Sequence, residues 1–124
     1  MSARILVVDD SKMNRMIAGG ILEKAGYEVA FAEDGAEAID VLKKDKIDAV
    51  LMDIQMPNMD GFEATRAVKK DETLKHIPII IVTAISDKEA LKSALAIGAT
   101  DYVTKPFDAE ELTLRIKNDV QIKR

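Results

Sequence analysis

Ile5-Leu6-Val7-Val8 is an apolar run with no polar interruption, followed by a segment of helical spacing, and this pairing of short run and helical segment recurs along the rest of the chain. A strand that is apolar toward both faces has to be covered on both, which is the pattern of a buried parallel strand. Parallel neighbours cannot be joined by tight turns. They need crossovers, which are right-handed and usually helical. The alternation therefore restricts the chain to an α/β class: a doubly wound, mainly parallel sheet of five strands in a three-layer sandwich.

The strands are expected at Ile5–Val8, Glu28–Ala32, Asp48–Met52, Pro78–Val82 and Asp101–Thr104. Met13, Met16, Ile17, Gly20, Ile21 and Ala25 recur at three- and four-residue steps and mark the first helix, with Gly26 as its stop. Ala38, Ile39 and Leu42 give the inner face of the second helix; Phe62, Thr65, Ala67 and Val68 give a less regular third. Asp87 reads as the N-cap of an alanine-rich fourth helix ending at Gly98, and Leu112, Ile116 and Val120 keep four-residue register in a fifth that starts from Asp108. No linker, repeat or low-complexity segment interrupts residues 1–124, which read as one domain.

Composition removes several classes of function. With no cysteine, thiolate nucleophiles and zinc-thiolate sites are excluded, and a reducing cytoplasm is the expected location. The apolar run at the N-terminus is stopped by Asp9 and Asp10, too early for a signal peptide, and no segment is long enough to cross a bilayer, so no membrane partner is expected. A net charge of -4 argues against direct binding of nucleic acid, and 4% aromatic residues with no Trp leave little for base stacking.

In open parallel sheets, ligands bind beyond the carboxyl ends of the strands. Asp9 and Asp10 follow the first run, Asp53 the third, Thr83 the fourth and Lys105 the fifth, so all five belong on one edge. Three carboxylates there repel unless a cation neutralises them. Mg²⁺ suits so sparse a set, because it uses one or two protein carboxylates and completes its shell with water and phosphate oxygens. The nucleophile on this edge is a carboxylate or Thr83, while Lys105 and the Thr83 hydroxyl are suited to neutralising and hydrogen-bonding a transferred phosphoryl group. His76, the only histidine, precedes the fourth strand in a polar stretch and reads as a surface residue. Pro57 and Gly61 read as turn residues shaping the loop after Asp53, and the methionines as packing.

The segments I-L-V-V-D-D, L-M-D-I-Q-M-P-x-M-D-G, I-I-V-T-A and Y-V-T-K-P-F, in this order along nearly the whole chain, resemble the receiver domains of two-component response regulators, including the chemotaxis type. The resemblance implies a flavodoxin-like strand order, 2-1-3-4-5. It implies Asp53 as the phosphorylated residue, Asp9 and Asp10 as the acidic pair serving Mg²⁺, and Gln55 as a metal ligand through its main-chain carbonyl. Thr83 and Lys105 become phosphate contacts, Lys105-Pro106 a cis peptide, and Tyr102 the aromatic switch residue.

By the same resemblance the chain is a signalling switch rather than an enzyme acting on an outside substrate. A histidine kinase or histidine phosphotransfer protein supplies the phosphoryl group, recognised through the first helix and nearby loops at residues such as Asn14, Arg15 and Ala18. A downstream effector or fused output domain reads the fourth helix, fifth strand and fifth helix. Three rivals fit less well. A phosphorylation-independent interaction domain that keeps the fold but not the switching would lack acidic or lysine positions, and none is missing here. Phosphatases of the aspartyl-phosphate class usually carry a second acid where Gln55 stands, and a flavin phosphate would be repelled by Asp9-Asp10.

Overall fold

The computed structural model describes residues 3–54, 61–84, 88–105 and 107–122. Strand and helix alternate throughout: β1 Arg4–Val8, α1 Lys12–Lys24, β2 Glu28–Ala32, α2 Gly35–Lys44, β3 Ala49–Asp53, α3 Gly61–Lys70, β4 Ile79–Ala84, α4 Lys88–Ala96, β5 Asp101–Lys105 and α5 Ala109–Ile122. The strands form a single parallel sheet in the order β2-β1-β3-β4-β5. This is the flavodoxin-like order expected from the sequence.

Alternation along each strand feeds two apolar layers. On one face Leu6, Val8, Val50, Met52, Ile79 and Ile81 pack with Ala38 and Leu42 of α2 and Ala64 and Val68 of α3. On the other, Ile5, Val7, Leu51, Ile80, Val82 and Val103 pack with Ala18 and Leu22 of α1 and Leu112, Ile116 and Val120 of α5. Each fully buried Val, Leu, Ile or Met among them contributes about 1.5–3 kcal/mol, which is why the runs Ile5–Val8 and Ala49–Met52, covered on both faces, carry no polar residue.

Side-chain caps set where helices begin. Ser11 accepts a hydrogen bond from the Asn14 amide and Asp34 from the Glu37 amide, while Glu37 in return accepts from the Glu33 amide. Asp108 caps α5 by accepting from the Glu111 amide. At the far end of α1, Gly26 has φ 95°, a left-handed conformation that a side chain would strain, so the expected stop is where it should be. Asp48 stands just before β3 rather than in it, and its carboxylate accepts a hydrogen bond from the Arg4 amide. Asp87, expected as a cap, lies outside the described residues.

The apolar series whose spacing marks α1 is not its most buried face. Met13, Met16 and Ile17 are 70%, 65% and 46% exposed, and the residues against the sheet are Ala18, Gly19 and Leu22. Both sets satisfy a helical period, and the small residues are selected because they let α1 lie close to the sheet: a Cβ on Gly19 would stand 2.8 Å from the Phe31 ring. Ala18 is therefore core and not the surface residue the sequence suggested. In α3 the buried set is Gly61, Ala64, Thr65 and Val68; Phe62 and Ala67 are only partly covered.

One buried acid was not anticipated. Asp119 of α5 is 3% exposed beside Asp101, and one of its carboxylate oxygens has no hydrogen-bond partner. Burial, then repulsion from Asp101, raises its pKa to about 6. Because the folded pKa lies above the ordinary 3.8, this group's stabilising contribution is complete below that value and is lost as pH rises through about 6. Asp119→Asn is expected to raise stability at pH 8 by on the order of 2 kcal/mol and to change it little at pH 4. Thermal unfolding of both proteins at the two pH values checks this; an equal gain at both would show that the acid is not carrying the penalty.

Candidate functional site

The strand register brings the polar residues of the motifs to one edge. Asp53 pairs with Val82 across β3 and β4, and Thr83 and Ala84 pair with Thr104 and Lys105 across β4 and β5. Asp9 continues from β1, its amide donating to the Ala32 carbonyl at 3.1 Å. Asp9, Asp53 and Thr83 are buried at 3%, 5% and 4% exposure, whereas Asp10 is exposed. Gln55 and Pro106, expected as a metal ligand and as half of a cis peptide, lie outside the described residues, as do Met56 and Pro57.

Carboxylate oxygens of Asp9, Asp10 and Asp53 lie within 4.8 Å of one another. Two unit charges about 4 Å apart repel by roughly 4 kcal/mol at an effective dielectric constant of ~20, so the cluster needs cations. Lys105 is one. Its Nζ stands 3.1 Å from Asp53 Oδ2 and 3.4 Å from Asp9 Oδ2, bridging the two buried acids. Burial by itself lowers the lysine pKa, but the hydrogen bond and charge of Asp53, with those of Asp9, outweigh it and hold the ammonium above its usual range. Three carboxylates against one ammonium leave two negative charges, the formal complement of a divalent cation, and an all-oxygen donor set suits a hard one.

Backbone contacts hold the acids in place. The Ser11 amide donates to Asp9 Oδ1 at 2.9 Å, and the Arg15 guanidinium donates to the Asp9 carbonyl at 2.7 Å while pairing with Glu33 at 3.5 Å. Arg15, which the sequence offered only as partner-facing surface, thus positions the loop bearing the acidic pair. The signal lay in its spacing, one turn beyond the Ser11 cap. On the Asp53 side, the Gly61 amide donates to the Ile54 carbonyl at 3.2 Å. A Cβ on Gly61 would sit 2.3 Å from the Asp53 carbonyl oxygen, so α3 begins against the strand end that carries the acid, and glycine is required at position 61 for this close approach.

Tyr102 is half-buried on β5, packed against the layer shared with α2 and α3. The Arg115 guanidinium lies 4.9 Å from its ring centroid and also pairs with Asp101 and Glu111. His76 is exposed and apart from the acidic cluster, as expected.

The response regulator receiver domain family matches residues 5–117. The chain belongs to that family. It is 44% identical over 110 residues to protein PilH of Pseudomonas aeruginosa, covering 89% of this chain and 91% of PilH. It is 40% identical over 123 residues to the response regulator PleD of Caulobacter vibrioides, of which this receiver spans only 27% while 99% of its own length is matched. The solved structure of chemotaxis protein CheY4 of Vibrio cholerae superposes with a TM-score of 0.88 at 36% identity, covering 95% of this chain and 98% of that one. Among the described residues of this receiver, no helix is long and apolar enough to cross a membrane.

Gly61→Ala is expected to cost about 1–3 kcal/mol, because neither the strand nor the helix backbone can yield 1 Å cheaply. Urea unfolding measures the loss; wild-type stability in the variant would mean that α3 moves freely relative to Asp53.

Proposed function

We propose that this receiver is a phosphorylation-dependent switch in which Asp53 accepts a phosphoryl group from a phosphohistidine of a histidine kinase or phosphotransfer protein. An Asp53 carboxylate oxygen attacks phosphorus, the P–O bond forms as the P–N bond breaks, and the imidazole leaves with the bonding pair. Attack of water on the acyl phosphate later returns the carboxylate and releases inorganic phosphate. Asp53 is consumed and regenerated, so no outside substrate is turned over in the manner of an enzyme. The observation that carries this reading is the three-carboxylate cluster bridged by Lys105.

The three carboxylates fit Mg²⁺: Asp9, Asp10 and Asp53 would hold it, with the main-chain carbonyl of Gln55 proposed as a further ligand from the family resemblance, and when bound it would neutralise charge on the phosphoryl oxygens. Lys105, already paired with Asp53, exchanges that contact for a phosphoryl oxygen, and the Thr83 hydroxyl donates to another. Movement of Thr83 opens space for Tyr102 to turn inward, and the α4, β5 and α5 face changes for an effector or a fused output domain. Residues 1–124 then constitute one receiver domain, cytoplasmic, with protein partners rather than nucleic acid.

Incubation with Mg²⁺ and a small acyl phosphate is expected to add one phosphoryl group by intact mass, with none on Asp53→Asn and none in excess chelator. Lys105→Gln is expected to retain Mg²⁺ binding while phosphorylation slows about 10²-fold or more. An unmodified wild type that binds Mg²⁺ normally would leave the switch without its chemistry.

A further inference from the structure

The apolar stripe that α1 turns away from the core has a counterpart on α5. Met16, Ile17, Gly20 and Ile21 of α1, with Ala25 just beyond its end, face Ala109, Thr113 and Leu114 of α5 across a groove of about 820 Å³. Leu114 is 59% exposed, so three large hydrophobic side chains, Met16, Ile17 and Leu114, stand in solvent on one surface. Such a patch on a chain with 32% charged residues marks an association surface.

Charges line the groove only at its ends: Glu110 on one side, Lys24 and Lys117 on the other. Both helices follow strands of one parallel sheet and run back from the site edge, so α1 and α5 are parallel to each other. Glu110, in the first turn of α5, therefore sits at the end near the site. Lys24, the last residue of α1, and Lys117, two turns beyond Glu110, sit toward the opposite end. The groove is acidic at one end, basic at the other and aliphatic between.

We infer that this α1–α5 groove is a self-association surface whose occupant is a second copy of the chain, docked antiparallel about a two-fold axis. An isologous contact must be self-complementary, and this groove is so in charge and in shape. Antiparallel docking sets Glu110 of each copy against Lys24 and Lys117 of the other, whereas parallel docking opposes like charges at both ends of the groove. The protruding side chains Met16, Ile17 and Leu114 have notches to enter at Gly20, where nothing lies within 4 Å of the Cβ direction, and at Ala25 and Ala109. The four helices then pack ridge into groove, as in a bundle. The contact leaves the α4 face free and does not rest on the phosphoryl-acceptor reading.

Sedimentation velocity on the unphosphorylated chain, run up to millimolar concentration, tests the inference. The expected result is a concentration-dependent rise from 13.6 kDa to twice that mass. Ile17→Asp and Leu114→Asp, at positions too exposed to disturb folding, are expected to abolish the rise while thermal unfolding stays unchanged. Glu110→Lys and the pair Lys24→Glu, Lys117→Glu are each expected to weaken association about tenfold or more, and their combination to restore it. A chain that stays monomeric throughout overturns the proposal, as does a dimer indifferent to Ile17→Asp and Leu114→Asp. A combination no better than its parts overturns the antiparallel arrangement. A monomer whose groove instead perturbs on adding a helical phosphotransfer protein assigns the surface to a different partner.

Discussion

Lys105 stands between two buried acids that come from strands far apart in the chain, and little else about the site edge makes sense without that placement. Asp9, Asp53 and Lys105 approach only because β1, β3, β4 and β5 are parallel and in one register, so that the residues ending them share an edge. The ammonium offsets part of the repulsion that would otherwise disfavour the folded state, and the remaining negative charge attracts a hard cation. Stability and ligand binding are thus opposed at this edge. The apolar layers beneath it supply the free energy that lets three carboxylates gather.

Asp9 and Asp53 are also placed by contacts that have nothing to do with charge neutralisation. Arg15 reaches back to the Asp9 carbonyl, and α3 begins so close to Asp53 that only glycine fits at Gly61. These contacts fix where the acids stand. On the proposed function, a metal or phosphoryl group arriving at the edge would meet donors already fixed in direction, with less ordering left for the binding event.

Much of this was legible in the residues. Unbroken runs such as Ile5–Val8 are diagnostic because β1 and β3 are covered on both faces, and the polar residue after each run marked the site edge. The register of α5 was legible because Leu112, Ile116 and Val120 are its sole regular apolar series. The face of α1 was not, because two series satisfy the same period and the larger side chains lie on the exposed one; close approach of helix to sheet favoured Ala18 and Gly19 instead. Asp119 was invisible for a related reason. A charged residue between apolar positions on a helix reads as solvent-facing unless the acid beside it on a neighbouring strand is known.

Arg115 ties the ring of Tyr102 to α5, stacking on it while paired with Asp101 and Glu111. The guanidinium therefore acts as a lever shared by two elements. Drawing Arg115 away from the ring would lower the work needed to turn it, and by thermodynamic reciprocity a turned ring would leave that guanidinium freer to pair with acidic groups. The position of the Arg115 guanidinium and the setting of the Tyr102 ring are thus coupled with no change required in the backbone between them.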